Sequence, residues 1–283
     1  MHEKELKAVL LIGLDDTKIK AFQDHVLAYY RKNRRDLPWR DTADAYHILV
    51  SEIMLQQTQV SRVIQKFNEF IGLFPTVQAL ADAAVSELLS VWKGLGYNRR
   101  ALNLQKAAQM IVTDYGGTVP SDVKDLMKLP GIGTYTASAV AAFAFDAPSV
   151  VIETNIRAVY IFFFFGSEAE KVSDKDLVLL IERTLYKPSP SEWYNALMDY
   201  GTYIKERYDN PAKKSRHHSI QSPFKGSNRE IRGKVLKLLL EEDLDLDGLY
   251  TMIGSEKDRV AAAVSDLHAE GFIVKESGRY TIR

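Results

Sequence analysis

Apolar residues recur at three- and four-residue spacing through most of residues 17–208. This spacing is typical of amphipathic helices, which gather their apolar side chains on one face. Short turns that contain glycine or proline separate the periodic stretches, at Leu37-Pro38, Phe74-Pro75, Gly94-Leu95-Gly96, Gly116-Gly117 and Leu129-Pro130-Gly131. Clean alternation of apolar and polar residues is missing from this part of the sequence. The pattern therefore predicts a compact all-α region.

Between Asn210 and Asn228 the periodicity stops, and prolines, serines and glycine replace the apolar positions. Such a composition is typical of a linker, and we predict an extended one at residues 209–228. The linker includes the basic run of residues 213–218. Two interpretations of this run stay open, a solvated stretch of surface charge and a contact with phosphate.

Residues 229–283 predict a second, small domain that begins with three helices. An amphipathic helix is expected at Arg229–Glu242, a short one at Leu249–Ile253 and a third at Ser255–Glu270. Ser255 and Asp258 have the spacing of a capping box at the start of the third helix.

A hairpin is expected after these helices, because apolar and polar residues alternate on both sides of Ser277-Gly278. Three helices followed by a hairpin resemble a winged helix. In the third helix the basic residues Lys257 and Arg259 are balanced by acidic ones. Contact with DNA and a structural or protein-binding role both stay open for this domain.

Composition narrows the classes of protein. The chain has 283 residues, 46% of them hydrophobic, and its 37 basic residues balance 37 acidic ones, so any contact with nucleic acid must use local charge. It has no cysteines, which excludes disulfides, thiol nucleophiles and cysteine-ligated zinc or iron–sulfur clusters. We expect no metal site, since His217-His218 alone is a weak signal. The apolar stretch Ala8–Leu14 is too short to span a membrane, and a cytoplasmic, nucleoid-associated location is expected.

A sharp turn is expected at residues 129–135, where two glycines flank one apolar residue between helical segments. Backbone N–H groups in such a turn, together with a helix N-terminus, suit a phosphate and grip a nucleic-acid backbone without reading its sequence. Glu153 follows eighteen positions after Tyr135, with Asn155 just beyond. A carboxylate so placed indicates chemistry on the held strand, and the two features together predict an enzyme that acts on DNA.

Glu52 is a candidate general acid. On a helix it shares an apolar face with Ile48, Leu49 and Leu55. Loss of hydration raises the pKa of a carboxyl, which is what a general acid needs at neutral pH. The alternative interpretation is an acid at the edge of the stripe that is paired with a cation. Just beyond it, the polar cluster of residues 56–59 can fill the gap left by an extruded base.

Four segments of the chain form an ordered set of sequence motifs. They are Leu37–Arg40, Ser51–Val60, Trp92–Tyr97 and Leu129–Ala137. Together they resemble the helix-hairpin-helix (HhH-GPD) base-excision DNA glycosylases and, within that superfamily, the MutY-type A/G-specific adenine glycosylases. The resemblance covers roughly residues 25–205. It implies an all-α, two-lobed helix-hairpin-helix DNA glycosylase fold, here followed by the winged-helix-like domain. The expected bounds are 42–149 for the hairpin lobe, 150–208 with the packed segment 1–41 for the second lobe, and 229–283 for the last domain.

The resemblance implies catalytic roles for four residues. Glu52 matches the acid that protonates the flipped adenine. Tyr135 matches an active-site tyrosine of the adenine branch, where related lyases such as endonuclease III have a lysine that forms a Schiff base. Tyrosine cannot form one, so we expect base removal without efficient strand cleavage. Glu153 occupies the place of an aspartate that stabilises the cationic sugar, and Asn155 that of the amide expected to hold this carboxylate.

The resemblance also implies the residues that contact DNA. The hairpin Gly131-Ile132-Gly133, followed by Thr134, matches a turn that holds phosphate through N–H groups, commonly with a monovalent cation at the adjacent carbonyls. Gln57 matches an amide that wedges into the duplex. Further contacts are implied for Gln56, Thr58, Tyr97 and Arg99, with Arg100 as another candidate for phosphate.

The chain departs from the family pattern at several positions. Glu153 is one methylene longer than aspartate, and a displacement of about 1 Å can lower a rate about a hundredfold. Three interpretations of Glu153 therefore stay open: a competent replacement for aspartate, a sign of a different activity, and an acid that only ends a helix. The four cysteines usual near positions 200–220 are missing, so no iron–sulfur cluster is expected and packing must replace it. Asn98 stands where a second aromatic residue is usual, and the winged-helix-like domain replaces one that checks for 8-oxoguanine.

The sequence thus predicts a monofunctional DNA N-glycosylase that removes adenine mispaired with 8-oxoguanine or guanine. One alternative keeps the chemistry and changes the base to thymine or uracil opposite guanine. The other is a non-catalytic protein that binds DNA lesions, against which the presence of Glu52 argues. The expected partner is double-stranded DNA with a mispaired or damaged base, with no membrane association and a monomeric chain.

Overall fold

The computed structural model describes residues 3–11, 13–166, 170–218 and 222–283. These residues form fifteen α-helices, two 3₁₀ turns and one two-stranded sheet, so the predicted all-α class is confirmed. Residues 219–221 of the predicted linker lie outside the described residues, as do parts of the predicted segments 1–41 and 150–208. None of the described helices is both long and apolar enough to cross a membrane.

The helices before residue 150 have the bounds α1 Glu3–Leu11, α2 Asp16–Asn33, α3 Ala45–Leu55, α4 Val60–Leu73, α5 Val77–Ala81, α6 Val85–Trp92, α7 Arg99–Tyr115, α8 Val123–Leu126 and α9 Thr134–Phe145. Those after it are α10 Thr154–Phe164, α11 Asp174–Thr184, α12 Pro190–Arg207, α13 Asn228–Leu239, α14 Leu246–Ile253 and α15 Lys257–Ala269. The 3₁₀ turns are Pro38–Arg40 and Pro211–Lys214, and the strands are β1 Ile273–Glu276 and β2 Arg279–Ile282.

The chain divides into two compact units. The first comprises residues 1–52, 120–128 and 132–220, and the second comprises residues 53–119, 129–131 and 221–283. The division differs from the predicted bounds, because residues 42–52, 120–128 and 132–149, which include α9, belong to the first unit, and residues 229–283 belong to the second unit. Ala139 and Ala142 of α9 belong to the same apolar cluster as α10 and α12.

The core of the first unit is aromatic. Phe22 of α2 has edge-on ring contacts with Phe163 at 5.3 Å, Trp193 at 5.6 Å and Tyr160 at 5.8 Å between centroids. Edge-to-face packing is a favoured geometry for aromatic pairs. These contacts tie α2 to α12 and to α10, the helix that carries Asn155 and is capped by Glu153.

Asp199 of α12 holds the segment that follows α2. Its carboxylate accepts two hydrogen bonds of 2.8 Å from the guanidinium of Arg40 and one of 3.0 Å from the backbone N–H of Arg35. Burial opposes ionisation of this carboxyl, but the hydrogen bonds and charge of Arg40 outweigh it and lower the pKa of Asp199. The Leu37–Arg40 motif therefore ends in a buried ion pair that fixes it to α12.

Part of the predicted extended linker is folded, and the prediction is wrong there. Pro211–Lys214 forms a 3₁₀ turn capped by the side chain of Asn210. The backbone of residues 214–216 then pairs with Val172, through N–H···O bonds of 2.8 and 2.9 Å. Ser215 is 1% exposed, so its side chain is packed within the first unit. Proline and asparagine here favour a capped turn and not an extended chain.

The last residues form the predicted three helices and a hairpin. Strands β1 and β2 pair antiparallel from Ile273↔Ile282 to Glu276↔Arg279. Both turn residues have left-handed backbone, φ 47° at Ser277 and φ 86° at Gly278, as a two-residue hairpin loop of this kind requires. The name winged-helix-like stays a prediction for this arrangement.

The predicted capping box of the third helix is wrong. Helix α15 begins at Lys257 with Glu256 as its N-cap, and no side chain caps it. Ser255 therefore lies one residue too early to serve as the N-cap. Gly254 ends α14 in a left-handed conformation, two residues before this N-cap.

Candidate active site

Glu52 is buried in α3 with 5% of its surface exposed. Ile48 and Leu49, one turn earlier, are exposed by 3% and 1%. Burial raises the pKa of Glu52 to about 7, a hydrogen bond from Tyr135 opposes this rise, and the charge of Glu153 adds to it. The acid is thus buried, as expected, and its partner is a tyrosine hydroxyl and not a cation.

Tyr135 is the second residue of α9. Its Oη donates to Oε2 of Glu52 over 3.2 Å, which is long for an O–H···O bond. Burial raises the pKa of Tyr135 well above its usual value, and the charges of Glu52 and Glu153 raise it further. The phenol therefore stays protonated and acts as a donor.

Glu153 is the N-cap of α10. Its Oε1 accepts the backbone N–H groups of Asn155 at 2.7 Å and Ile156 at 3.1 Å. Burial raises the pKa of this carboxyl, while the two N–H bonds and then the charges of Lys205 and Arg157 lower it. Glu153 is therefore a helix-terminal acid, and it also lies close enough for its charge to affect Glu52. Its place at the helix terminus therefore does not exclude a role beside Glu52.

Asn155 supports Glu153 through its backbone and not through its side-chain amide. The N–H of Asn155 binds the carboxylate, whereas its Oδ1 accepts a 2.9 Å hydrogen bond from Nζ of Lys205 on α12. The expected contact between the amide and the carboxylate is thus replaced. The sequence does not predict this contact, because fifty positions separate the two residues.

Residues 56–58 follow the end of α3 in the second unit. Gln57 has a left-handed backbone, with φ 55°. The hydroxyl of Thr58 lies 3.3 Å from the carbonyl oxygens of Gln56 and Leu95 and accepts from Arg100 at 3.0 Å. Thr58 thus holds its own loop in place, and the proposed contacts of this cluster with DNA stay predictions.

Arg100 binds carbonyl groups inside the second unit, where the sequence suggested phosphate. Its Nη1 donates to the carbonyls of Ile53, Met54 and Gln56 over 2.6–2.8 Å. Its Nη2 reaches the carbonyls of Leu95 and Gly96. A cation suits the negative end of a helix, and here it closes the C-terminus of α3. Burial lowers the pKa of Arg100 to about 10, so the group stays charged at neutral pH.

Tyr97 lies on the loop that leads into α7, and Arg99 is the first residue of that helix. The hydroxyl of Tyr97 accepts a 2.7 Å hydrogen bond from Arg229, and its ring lies 5.4 Å from the guanidinium of Arg229 and 5.6 Å from that of Arg100. Arg99 is 69% exposed and 3.8 Å from Glu270. Of the two adjacent arginines, Arg99 is therefore the one that can reach an external phosphate.

The hairpin is held by its apolar residues and exposes its glycines. Leu129 and Ile132 are buried, with 2% and 6% exposure, while Gly131, Gly133 and Thr134 are exposed. Gly131 has φ 78°, and a Cβ there would lie 2.8 Å from Cβ of Asn103. Gly133 is the N-cap of α9, whose first N–H groups have no carbonyl partner within the helix. Such a turn is suited to an anion.

The cysteine-ligated cluster implied by the family resemblance does not fit this chain, because no thiolate donor exists in the sequence. Across the described part of the chain, no group of three or more histidine or acidic side chains is placed to hold a metal ion. In the part of the sequence where the family's cysteines are usual, this chain has tyrosines instead. The hydroxyls of Tyr200 and Tyr208 both donate to the carboxylate of Glu3, and the ring of Tyr208 lies 4.7 Å from that of Phe162.

Comparison with known proteins places these features in a family. The model of the HhH-GPD superfamily of base excision DNA repair proteins matches residues 50–189. An adenine DNA glycosylase of Mycolicibacterium smegmatis is 35% identical over 279 residues, which cover 91% of this chain and 94% of that protein. The adenine DNA glycosylase of Homo sapiens is 40% identical over 154 residues, which cover 51% of this chain and 28% of that protein.

Solved structures show the same fold. A thermostable thymine-DNA glycosylase has a TM-score of 0.58 and 29% identity, covering 66% of this chain and 87% of that chain. A trapped endonuclease III–DNA covalent intermediate has a TM-score of 0.53 at 23% identity, covering 75% of this chain and 92% of that chain, a likeness of fold alone. The chain therefore belongs to the adenine DNA glycosylase family of the HhH-GPD superfamily of base excision DNA repair proteins.

Proposed function

We propose that this protein removes adenine from duplex DNA by hydrolysing its N-glycosidic bond, where the adenine is mispaired with 8-oxoguanine or guanine. The observation that carries the proposal is Glu52, a buried carboxyl with a pKa of about 7 beside the hydroxyl of Tyr135. An acid with such a pKa is present in both protonation states near neutral pH and can deliver a proton to a leaving group. Family members named adenine DNA glycosylase support adenine as the base.

Glu52 acts as the general acid after the nucleotide is extruded from the duplex. Because Oε2 accepts the hydrogen bond from Tyr135, the proton of the neutral carboxyl resides on Oε1. Transfer of this proton to a ring nitrogen of adenine offsets the negative charge that develops when the bond between the sugar C1′ and the base breaks. The electron pair of that bond leaves with the protonated base.

Glu153 acts in its ionised form beside the cationic sugar that remains. A preorganised negative charge stabilises an oxocarbenium ion until water adds to C1′ and releases a proton. The two carboxyls therefore need opposite protonation states. The charge of Glu153 raises the pKa of Glu52, so ionisation of the first helps to keep the proton on the second.

The remaining residues hold the DNA. The N–H groups of the exposed turn Gly131–Thr134 bind a backbone phosphate, Arg99 and Tyr97 contact the duplex, and Gln57 enters the gap beside the extruded base. With tyrosine at position 135 no Schiff base forms there, so the product is an abasic site in an uncut strand. A monovalent cation at the hairpin, a monomeric chain and a location beside the nucleoid stay predictions.

A second candidate function keeps the chemistry and changes the base to thymine or uracil opposite guanine. The likeness to a thermostable thymine-DNA glycosylase favours this candidate. The third hypothesis, a non-catalytic protein that binds lesions, requires no acid at position 52.

The test is a single-turnover assay with excess enzyme on duplexes that hold A·8-oxoguanine, A·G, T·G or U·G, each analysed with and without alkali. We expect strand breaks at adenine only after alkali. Glu52→Gln should slow base removal by about 10²- to 10⁴-fold, whereas the exposed Glu182→Gln should match the unmodified protein. Breaks at T·G or U·G would support the second candidate instead. Tight binding without any product would support the lesion-binding hypothesis.

A further inference from the structure

The side-chain amide of Asn155 has an orientation that its partner fixes. Its Oδ1 lies 2.9 Å from Nζ of Lys205. A lysine ammonium only donates hydrogen bonds, so the amide oxygen must point to it and the Nδ2 group must point away. For most asparagines the two ends of the amide are hard to tell apart, but here the cation decides between them.

Gly201 allows α12 to approach Asn155 closely. It lies four residues before Lys205, and residues at this spacing share a face of the helix. A Cβ at position 201 would lie 2.3 Å from the carbonyl oxygen of Asn155 and 2.6 Å from its Cβ. Any larger residue must therefore push α12 away from the first turn of α10. Gly201 and Lys205 thus reach the same asparagine through two separate contacts, one steric and one polar.

The charge of Lys205 also reaches the neighbouring carboxylate. Lys205 is half-buried, so solvent screens its charge only in part. Burial raises the pKa of Glu153, and the charge of Lys205 is among the groups that oppose this rise, after the two backbone N–H bonds. The ammonium therefore favours the ionised form of Glu153, the form that a cationic sugar requires.

We propose that Lys205 is a positioning residue for base removal, which acts by turning the amide of Asn155. With Oδ1 held by the ammonium, the Nδ2 group is directed away from α12 and is available to the reacting sugar or the attacking water. Gly201 supplies the close packing that lets Lys205 make this contact. The proposal rests on the proposed function, since it concerns the rate of the same reaction.

Substitution of Lys205 tests the proposal. Lys205→Met keeps the aliphatic stem and removes the donor, and Lys205→Arg keeps a charged donor. A catalytic group released from its position loses about 10- to 100-fold in rate. We expect a loss of this size for Lys205→Met in the single-turnover rate on the adenine mispair, with unchanged affinity for the duplex, and a partial recovery for Lys205→Arg. The exposed Lys175→Met of α11 is the matched control and should keep the rate of the unmodified protein.

A double-mutant cycle separates positioning from a general structural role. If Lys205 acts through Asn155, Lys205→Met should slow an Asn155→Ala variant by less than about twofold at a pH where Glu153 is ionised in all variants, because the two changes remove the same interaction. Losses that multiply in full would overturn the proposal, as would a Lys205→Met variant with the unmodified rate. If Lys205→Met does not fold, Lys205→Ala, which also removes the donor, replaces it in the cycle. Failure of the unmodified protein to release adenine would instead contradict the proposed function.

Discussion

The hydroxyl of Tyr135 donates a hydrogen bond to Oε2 of Glu52, although 83 positions separate the two residues in the chain. Burial and this hydrogen bond have opposite effects on the pKa of Glu52, since burial favours the neutral carboxyl and a donor favours the ionised one. Burial dominates, and the pKa is about 7. The tyrosine therefore limits how far the pKa of the acid rises.

The pH dependence of base removal should reflect this balance. We expect the rate to fall as the pH rises through about 7, where Glu52 loses its proton. It should also fall at low pH, where Glu153 becomes neutral. Tyr135→Phe removes the opposing hydrogen bond, so the pKa of Glu52 should rise and the alkaline limb should move to higher pH.

Single-turnover rates from about pH 5 to about pH 9 measure both limbs. Tyr115→Phe, at the end of α7, is a control that should leave the profile unchanged. An alkaline limb at the same pH in Tyr135→Phe would mean that the hydroxyl does not act on Glu52. Because the two carboxyls interact, each limb reports the pair and not one residue.

Glu52→Gln should stabilise the fold at alkaline pH while it removes activity. Between the ordinary glutamate pKa of 4.5 and about 7, the folded chain binds more protons at this site than the unfolded chain. Stability therefore falls as the pH rises through this window and stays lower above it. Glutamine carries no charge to bury, so we expect a gain of about 1–3 kcal/mol at pH 8 and almost none at pH 4.

Urea unfolding of the two proteins at both pH values gives the difference directly. Glu182→Gln, on the exposed side of α11, should show no comparable gain at pH 8. An equal gain for Glu52→Gln at the two pH values would contradict a raised pKa in the folded state.

Much of the fold and the acid itself could be predicted from the sequence, because their signals are local. Helical periodicity places Glu52 among apolar neighbours, and α3 buries it there. The dipeptide Ser277-Gly278 predicts the hairpin because few residue pairs accept two left-handed conformations. The periodicity indicates a candidate general acid at Glu52, and the family resemblance adds that this acid protonates adenine.

Contacts between residues distant in the chain could not be predicted. The type of a residue indicates which groups it can bind, but not which of them lie near it in the folded chain. Arg100 suggested a phosphate contact, yet its guanidinium is occupied by carbonyl groups. The amide of Asn155 was expected at Glu153 and instead binds Lys205. A polar, proline-containing stretch suggested an extended linker, but pairing of residues 214–216 with Val172 folds it.

The adjacent residues Arg99 and Arg100 should respond differently to substitution. Arg100→Met leaves the last carbonyls of α3 and the carbonyls of the loop before α7 without their donor. We therefore expect a loss of about 2–4 kcal/mol in the free energy of unfolding. Arg99→Ala removes an exposed side chain, so stability should change by less than about 0.5 kcal/mol. If Arg99 contacts a phosphate, its loss should weaken binding to all duplexes and reduce the salt slope by about 1.

Thermal unfolding and salt titrations of duplex binding separate the two effects. Equal destabilisation by both variants would show that exposure does not distinguish the two arginines. A normal salt slope for Arg99→Ala would remove Arg99 from the proposed DNA contacts.

Substitution of the two glycines of the hairpin should also distinguish an effect on stability from an effect on DNA binding. Gly131 has φ 78°, and an added Cβ would meet Asn103 at 2.8 Å, so Gly131→Ala combines backbone strain with overlap. We expect it to lower stability by about 1–3 kcal/mol. Gly133 has φ −91°, and its added Cβ meets nothing within 4 Å, so Gly133→Ala should fold normally.

DNA binding should weaken in both variants, but for different reasons. In Gly133→Ala the methyl group enters the open space beside the N–H groups of the first turn of α9, where the proposed phosphate is held. We therefore expect weaker binding to every duplex with unchanged thermal unfolding. Gly233→Ala in α13, where an added Cβ also meets nothing, is the matched control and should gain up to about 1 kcal/mol without any change in binding. A Gly133→Ala variant that binds DNA as tightly as the unmodified protein would place the phosphate contact away from this turn.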